Sequence, residues 1–404
     1  MGKNLSGNLV IFQSGGPTAV INSSLVGVIE EAHRHSEIQE IYGAINGILG
    51  ILNRRIVDLK REDPGVIAGL RKTPAAGLGS CRYKLRESDV EEVCAVLQDY
   101  GIRYLLVNGG NDSMDTANKI LSFAEEIGYE LRVIGIPKTI DNDLPFTDHC
   151  PGYGSVGRWL AIATMDAGRD TEAIHTTDRI KIIETMGRNS GWVAATTAMA
   201  KVTEMDAPHL IYFPEILLSI DKLLSEVENV CSRLGYAVIV VGEGLCGEDA
   251  KLLVESKRTI DTDGFGHRQP GGVGHYLAQI ISDNLDLKSR SDKPGTIQRA
   301  SILLSSPTDV EEAYRVGQMA VRYAVSGKSG CMVTLERSDS PSYEVEFGLV
   351  ELGKVANQVR CLPAEFINES KNFVSGKFVD YFRPLLGGPL PRYERLRKYF
   401  VVRP

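Results

Sequence analysis

The stretch PKTIDND, residues 137–143, sets an ammonium (Lys138), a hydroxyl (Thr139) and two carboxylates (Asp141 and Asp143) directly behind the apolar run from Leu131 to Ile136. Pro137 should stop a strand there, and a lysine just beyond it can hold a phosphate as a compact charge. A carboxylate further on can take a proton from an attacking hydroxyl, and its neighbour can help hold Mg²⁺. A turn rich in Asp and Asn accounts for the same residues without any chemistry. Other stretches must decide between the two.

In QSGGPTAVIN, Gly15 and Gly16 stand between a strand and a helix, where backbone N–H groups can turn toward an anion. A plain strand-to-helix turn is the equal alternative. NGGNDS repeats the arrangement at Gly109 and Gly110, with Asn111 and Asp112 as oxygen donors, although Asp112 could simply cap the following helix. Arginines recur at strand ends and loops: Arg82 in GSCRYKL, Arg179 and Arg188 bracketing RIKIIETMGR, Arg290, and Arg299 in GTIQRAS. Any one of them is solvated by default. Arg188, however, follows an apolar strand and the small turn TMG, a place suited to bidentate contact with phosphate. Glu243 in VVGEGL ends another strand, where a carboxylate could accept sugar hydroxyls. Together these residues describe two anion-binding pockets with a carboxylate between them.

Such residues need elements to hold them. NLVIFQ, RYLLVN, LRVIGIP, RIKIIETM, HLIYF and YAVIVV read as near-continuously apolar strands, alternating with helical stretches such as DSMDTANKILSFAEEIG and SIDKLLSEVENVCSRLG. The alternation predicts an α/β fold of two three-layer, Rossmann-like domains, their parallel sheets covered on both faces. Ligands then bind at the carboxyl ends of the strands, in the cleft between the domains. The first domain is expected at residues 1–150, completed by about 261–305, and the second at 151–260, completed by about 306–404. Within those segments GTIQRASILL reads as a strand returning to the first domain. CMVTLERSD and YEVEFGLVEL read as a terminal hairpin in the second, and DTDGFGHRQPGGVG as a linker or mobile loop.

At 404 residues the chain is long for one core, and 43% hydrophobic with 24% charged residues is an ordinary soluble composition. A net charge of −7 without a dense Lys/Arg block argues against nucleic acid as a partner. No apolar run reaches membrane-spanning length and the N-terminal one is too short for a secretory signal, so a cytoplasmic protein is expected. The 7 cysteines are dispersed and form no CxxC pair, and the 7 histidines show no zinc-like spacing. The expected metal is therefore a hard cation held by oxygen.

From SGGPTAVIN through GGNDS, PKTIDND, ETMGR and GEG to GTIQR, the chain resembles the 6-phosphofructokinases, and more closely their pyrophosphate-dependent branch. The resemblance implies a phosphofructokinase-type fold and phosphoryl transfer to the C1 hydroxyl of fructose 6-phosphate. It implies Asp141 as general base, Thr139 as a contact to the transferred group, Asp143 in support of the metal region, and Arg188 as the residue that neutralises the transition state. It further implies Ile140, Met186, Gly187, Glu243, Arg290, Thr296 and Arg299 about the sugar phosphate, and Arg179 reaching into a neighbouring subunit of a homodimer or homotetramer. Gly15, Gly16, Arg82, Gly110, Asp112 and Lys138 are implied for diphosphate, and Asn111 for Mg²⁺.

ATP-using relatives carry glycine where Asp112 and Lys138 stand. A carboxylate at Asp112 would repel the α-phosphate of a nucleotide, and Lys138 supplies a cation for the shorter donor. Both favour diphosphate over the alternative of an ATP-dependent enzyme. Two departures stand out: Asn111 replaces the family's first acidic metal ligand, and Thr296 with Ala300–Ser301 replaces a His and a Gly pair. The first leaves room for a catalytically silent sugar-phosphate-binding subunit. The second could broaden sugar choice toward sedoheptulose 7-phosphate.

Overall fold

The computed structural model describes residues 5–254, 272–340 and 342–401. Eleven strands are described: β1 Gly7–Gln13, β2 Ile38–Ala44, β3 Ile56–Asp58, β4 Ile102–Gly109, β5 Arg132–Pro137, β6 Ile180–Thr185, β7 Leu210–Tyr212, β8 Ala237–Gly242, β9 Ser289–Asp292, β10 Cys331–Arg337 and β11 Val345–Glu351. They form a seven-stranded sheet ordered β11-β10-β5-β4-β1-β2-β3 and a four-stranded sheet ordered β7-β8-β6-β9. The smaller sheet is parallel throughout. The larger is parallel except at its edges, where β3 and β11 run antiparallel to β2 and β10.

Alternation along β1 shows why both faces are covered. Leu9 and Ile11 point into one core with the helices Ile21–Ala32 and Pro307–Val325, while Val10 and Phe12 point into another with Glu87–Asp99 and Asn111–Glu126. A strand buried on both faces must be apolar at every position, hence the uninterrupted runs in the sequence.

Each sheet has one place where the chain reverses its direction of growth. From β1 the chain adds β2 and β3 on one side, then returns to place β4 on the other; from β6 it adds β7 and β8, then places β9 on the other side. Loops leaving such adjacent strands diverge and open a crevice at the carboxyl edge.

Completion of the two units is the reverse of the expectation. The hairpin of β10 and β11 exists, but it joins the larger sheet by parallel pairing of Cys331 and Met332 with Ile134 and Gly135 of β5. The helix Pro307–Val325 also belongs there, because glycines let it lie backbone to backbone on Ile21–Ala32. A Cβ on Gly27 would stand 2.0 Å from the Tyr314 carbonyl oxygen, and one on Gly317 2.1 Å from that of Ser24. Conversely, β9 joins the smaller sheet beside β6. GTIQRASILL is no strand: Ile297–Ala300 is one helical turn. The chain from Leu362 onward returns to the second unit, where Phe378 and Phe382 join the core of Tyr153 and Trp192 and Arg395 pairs with Glu172 and Asp206. The loop expected within DTDGFGHRQPGGVG falls almost wholly outside the described residues. All seven cysteines are free, and among the described residues no helix is long and apolar enough to cross a membrane.

Candidate active site

A cleft of about 1020 Å³ opens at the facing carboxyl edges of the two sheets. Its larger-sheet wall begins with a polar network under the loop after β1. Gln13 donates to Asn22 Oδ1 (3.0 Å) and accepts from the Leu78 N–H (3.0 Å), while Asn22 Oδ1 accepts from the Gly77 N–H (2.7 Å). The Gly15 N–H reaches Cys81 O (3.0 Å) and Ser80 Oγ donates to Gly15 O (2.6 Å). These bonds fasten the segment carrying Arg82 over Gly15 and Gly16. Gly15 has φ +76°, a conformation that side chains disfavour.

Behind β4, Gly110 caps the helix Asn111–Glu126 without a side-chain bond. Asp112 is therefore inside the first turn, not the cap, and it lines the cleft. The Asn111 amide spans two backbones: Oδ1 accepts from the Asp112 N–H (2.8 Å) and Nδ2 donates to Gln358 O (3.1 Å).

Behind β5 the PKTIDND turn is both a built turn and a polar site. Asn142 takes the left-handed conformation (φ 51°), and its side chain accepts from the Cys150 N–H and donates to Tyr381 Oη. The Thr139 hydroxyl accepts from the Asp141 N–H and donates to Asp143 Oδ1, both at 3.1 Å. Arg360 pins the loop by donating to Asn142 O (2.8 Å) while stacking on Trp192. Lys138 is buried, its ammonium donating to Gly16 O at 2.9 Å.

The smaller sheet supplies the opposite wall: Met186, Arg188 and Asn189 after β6, Glu243 after β8, and Lys293, Gly295, Thr296 and Arg299 after β9. Gly187 (φ 111°) lets the chain turn between Met186 and Arg188. A Cβ on Gly244 would stand 1.6 Å from Arg188 O, so this glycine sets how close the GEG loop comes to the arginine.

Burial is the largest influence on the charged groups of the cleft, with like charges adding to it and opposite charges working against it. Burial lowers the Lys138 pKa to about 7, aided by Arg299 and Arg82. Burial also lowers the Arg299 pKa, again with Arg82. Asp141 is raised by burial, then by Asp143 and Glu243. Asp143 and Glu243 are raised chiefly by burial as well. Asp141 Oδ1, Arg188 Nε and Arg299 Nε are buried without a hydrogen-bond partner in the protein. Buried polar atoms normally have a partner, and these three can take one from the cleft. An anion set between these cations, with a hydroxyl against Asp141, would satisfy them together.

The cleft gathers Gly15, Gly16, Arg82, Gly110, Asn111, Asp112, Lys138, Thr139, Ile140, Asp141, Asp143, Met186, Arg188, Glu243, Thr296 and Arg299. Arg179 and Arg290 do not line it. They sit toward the amino ends of β6 and β9, where Arg179 donates to Gly235 O (2.9 Å) and Arg290 to Asp178 (2.5 Å). The Arg299 guanidinium approaches Gly16, with Nη1 2.6 Å from where a Cβ would stand, and Arg82, Asp141 and Glu243 lie near enough to act on its charge. Sequence reasoning missed Lys293, Arg360 and the Gln13–Asn22 pair. Only the pair left a signal, two buried amides inside the quoted QSGGPTAVIN.

The phosphofructokinase family pattern matches residues 8–324. The chain is 40% identical, over 98% of its length and 97% of the relative's, to pyrophosphate–fructose 6-phosphate 1-phosphotransferase of Halomonas elongata. It is 39% identical to the protein of that name in Xanthomonas campestris, with 98% of each chain covered. Among solved structures it resembles the pyrophosphate-dependent phosphofructokinase of Nitrosospira multiformis with a TM-score of 0.87 at 37% identity, covering 98% of this chain and 96% of that one.

Proposed function

The chain belongs to the phosphofructokinase family, and we propose that it transfers a phosphoryl group from diphosphate to the C1 hydroxyl of fructose 6-phosphate. The products are fructose 1,6-bisphosphate and inorganic phosphate. The observation that carries this reading is the joint presence of Asp112 and Lys138 at one end of the cleft, with Asp141 beside them. A buried ammonium with one protein acceptor retains two N–H groups for a short, highly charged donor. The Asp112 carboxylate opposes any donor extended by a further phosphate.

Asp141 takes the proton of the C1 hydroxyl, and its raised pKa makes it a stronger base than an ordinary aspartate. The C1 oxygen attacks the near phosphorus, and the bridging P–O bond breaks. Its electron pair leaves with the phosphate held by Lys138 and Arg82. Arg188 and Thr139 face the transferred group, and preorganised donors of this kind supply most of the catalysis in phosphoryl transfer. Glu243, Met186 and Thr296 hold the sugar. Inorganic phosphate leaves from the same pocket that took diphosphate, and that pocket could take phosphate again for the reverse transfer.

Mg²⁺ fits as a partner of the phosphates rather than of a protein cage. Among the described residues no three acidic or imidazole groups converge on a metal, and Mg²⁺ characteristically keeps waters and phosphate oxygens beside one or two protein ligands. Asp143 and the second lone pair of Asn111 Oδ1 would supply those ligands, and the ion would neutralise charge on diphosphate. The placement of Arg179 and Arg290 outside the cleft supports a homo-oligomer in which these arginines serve a neighbouring subunit's sugar phosphate.

The test is an aldolase-coupled assay of the purified protein with fructose 6-phosphate and either diphosphate or ATP at equal Mg²⁺. Diphosphate should support turnover and ATP little. Preference for ATP would overturn the donor assignment.

A further inference from the structure

Lys293 lies at the second sheet's point of reversal, directly after β9, whose Asp292 pairs in register with Ile183 of β6. Its side chain is half exposed, and its ammonium stands 2.6 Å from Glu184 Oε1. Glu184 is buried, and its other oxygen accepts from the Gly274 N–H at 2.8 Å. The Lys293 stem is thus anchored by a fixed carboxylate, while the residue itself lines the cleft with Glu243, Met186 and Thr296.

The distribution of positive charge makes this position informative. Among the described residues, five cationic ones line the cleft: Arg82, Lys138, Arg188, Lys293 and Arg299. Arg82, Lys138 and Arg299 gather about Gly16, and Arg188 lies close enough to Asp141 to hold its pKa down. Lys293 is the first among the charges opposing the upward shift of Glu243, ahead of Arg188.

We propose that Lys293 is a specificity residue for the acceptor, contacting the anionic sugar phosphate from within the same chain and presenting Glu243 to its hydroxyls. A lysine suits this task because its ammonium is a mobile point charge on a flexible stem that can exchange Glu184 for a phosphate oxygen without moving the backbone. The proposal rests on the sugar phosphate being the acceptor. It adds a residue that neither PKTIDND nor the arginine-bearing stretches contain.

The test compares Lys293→Met, Lys293→Arg and Glu184→Gln with the unmodified protein. Binding of fructose 6-phosphate is measured by calorimetry without a donor, and KM for each substrate by the coupled assay. Lys293→Met should weaken sugar-phosphate binding and raise its KM by about 10- to 100-fold, the span of one charge-assisted hydrogen bond, with diphosphate KM little changed. Lys293→Arg should recover most of the loss. Glu184→Gln, which keeps an acceptor for the Gly274 N–H, should bind the sugar phosphate nearly normally. Equal loss in Glu184→Gln and Lys293→Met would reduce Lys293 to a prop for Glu184 and overturn the proposal, as would an unchanged sugar affinity in Lys293→Met. Failure of the unmodified protein to use diphosphate leaves the calorimetric comparison intact, so the two readings fail separately.

Discussion

The ammonium of Lys138 donates to the carbonyl oxygen of Gly16 across 2.9 Å, joining the end of β5 to the loop after β1. With its pKa lowered to about 7 by burial and by Arg299 and Arg82, Lys138 sheds its proton as the pH rises through neutrality. Only the protonated form attracts diphosphate. Asp141 acts in its deprotonated form, and with its pKa raised to about 7 this form grows as the pH rises through the same range. In the free enzyme kcat/KM for diphosphate should therefore rise and then fall with pH. In Lys138→Arg, whose charge persists, the falling limb should move to higher pH. Both proteins meet the same ionisation of diphosphate, so a coincident falling limb would remove Lys138 from the donor site.

Asp141→Asn should lower kcat by ~10² or more, the usual contribution of a general base. Sugar-phosphate affinity should change little, because Glu243 and the Thr139 turn remain. Near-normal turnover would take the base role from Asp141.

Gly27→Ala tests the close approach of the helices Ile21–Ala32 and Pro307–Val325. Its Cβ would overlap the Tyr314 carbonyl oxygen, which is backbone and cannot swing aside. A loss of about 1–3 kcal/mol, the range for overpacking, should appear in denaturant unfolding. Gly69→Ala is the control, because a Cβ there meets nothing within 4 Å. Equal stability of the two variants would contradict the packing described.

The strands nearest the chemistry were legible because β4, β5, β6 and β8 are buried on both faces and so are written as unbroken apolar runs. The edge hairpin was legible as a hairpin but not by its sheet. β11 is only half-buried along most of its length, and its pattern is compatible with either sheet edge. Its place depends on β10 pairing with β5 across nearly two hundred residues. Glycines 27 and 317 decide the matching helix placement, yet each looks alone like an unremarked helix glycine. Arg360 was invisible for a related reason: its work is to donate to Asn142, 218 residues earlier, from a stretch with no motif. Arg299 was recognised as a site residue, but its approach to Gly16 was not legible, since its rotamer depends on the space over that glycine.

Because Arg179 and Arg290 lie outside the cleft of their own chain, an oligomer with shared sites should show complementation. Arg179→Ala and Asp141→Asn proteins, each weakly active alone, should regain activity when mixed under conditions that exchange subunits. A hybrid pairs an intact base with an intact arginine in some of its sites. Mixed oligomers verified by native mass spectrometry but without recovered activity would rule out the shared site.

The donor assignment depends on two residues acting on one ligand. In the proposed reaction Lys138 would retain the terminal phosphate of diphosphate, and Asp112, which lines the cleft from the first turn of the helix Asn111–Glu126, would oppose a longer donor. Lys138→Gly should lose diphosphate use without gaining ATP use, since Asp112 still opposes the α-phosphate. Asp112→Gly should admit ATP weakly, because an amide-rich helix start without its carboxylate favours an anion. Lys138→Gly combined with Asp112→Gly should improve ATP use by more than the separate changes in free energy predict, as expected of neighbouring groups that contact one ligand. Steady-state kcat/KM for both donors across the four proteins measures the coupling. Strict additivity would mean that the two side chains meet different parts of the donor and do not set its length together.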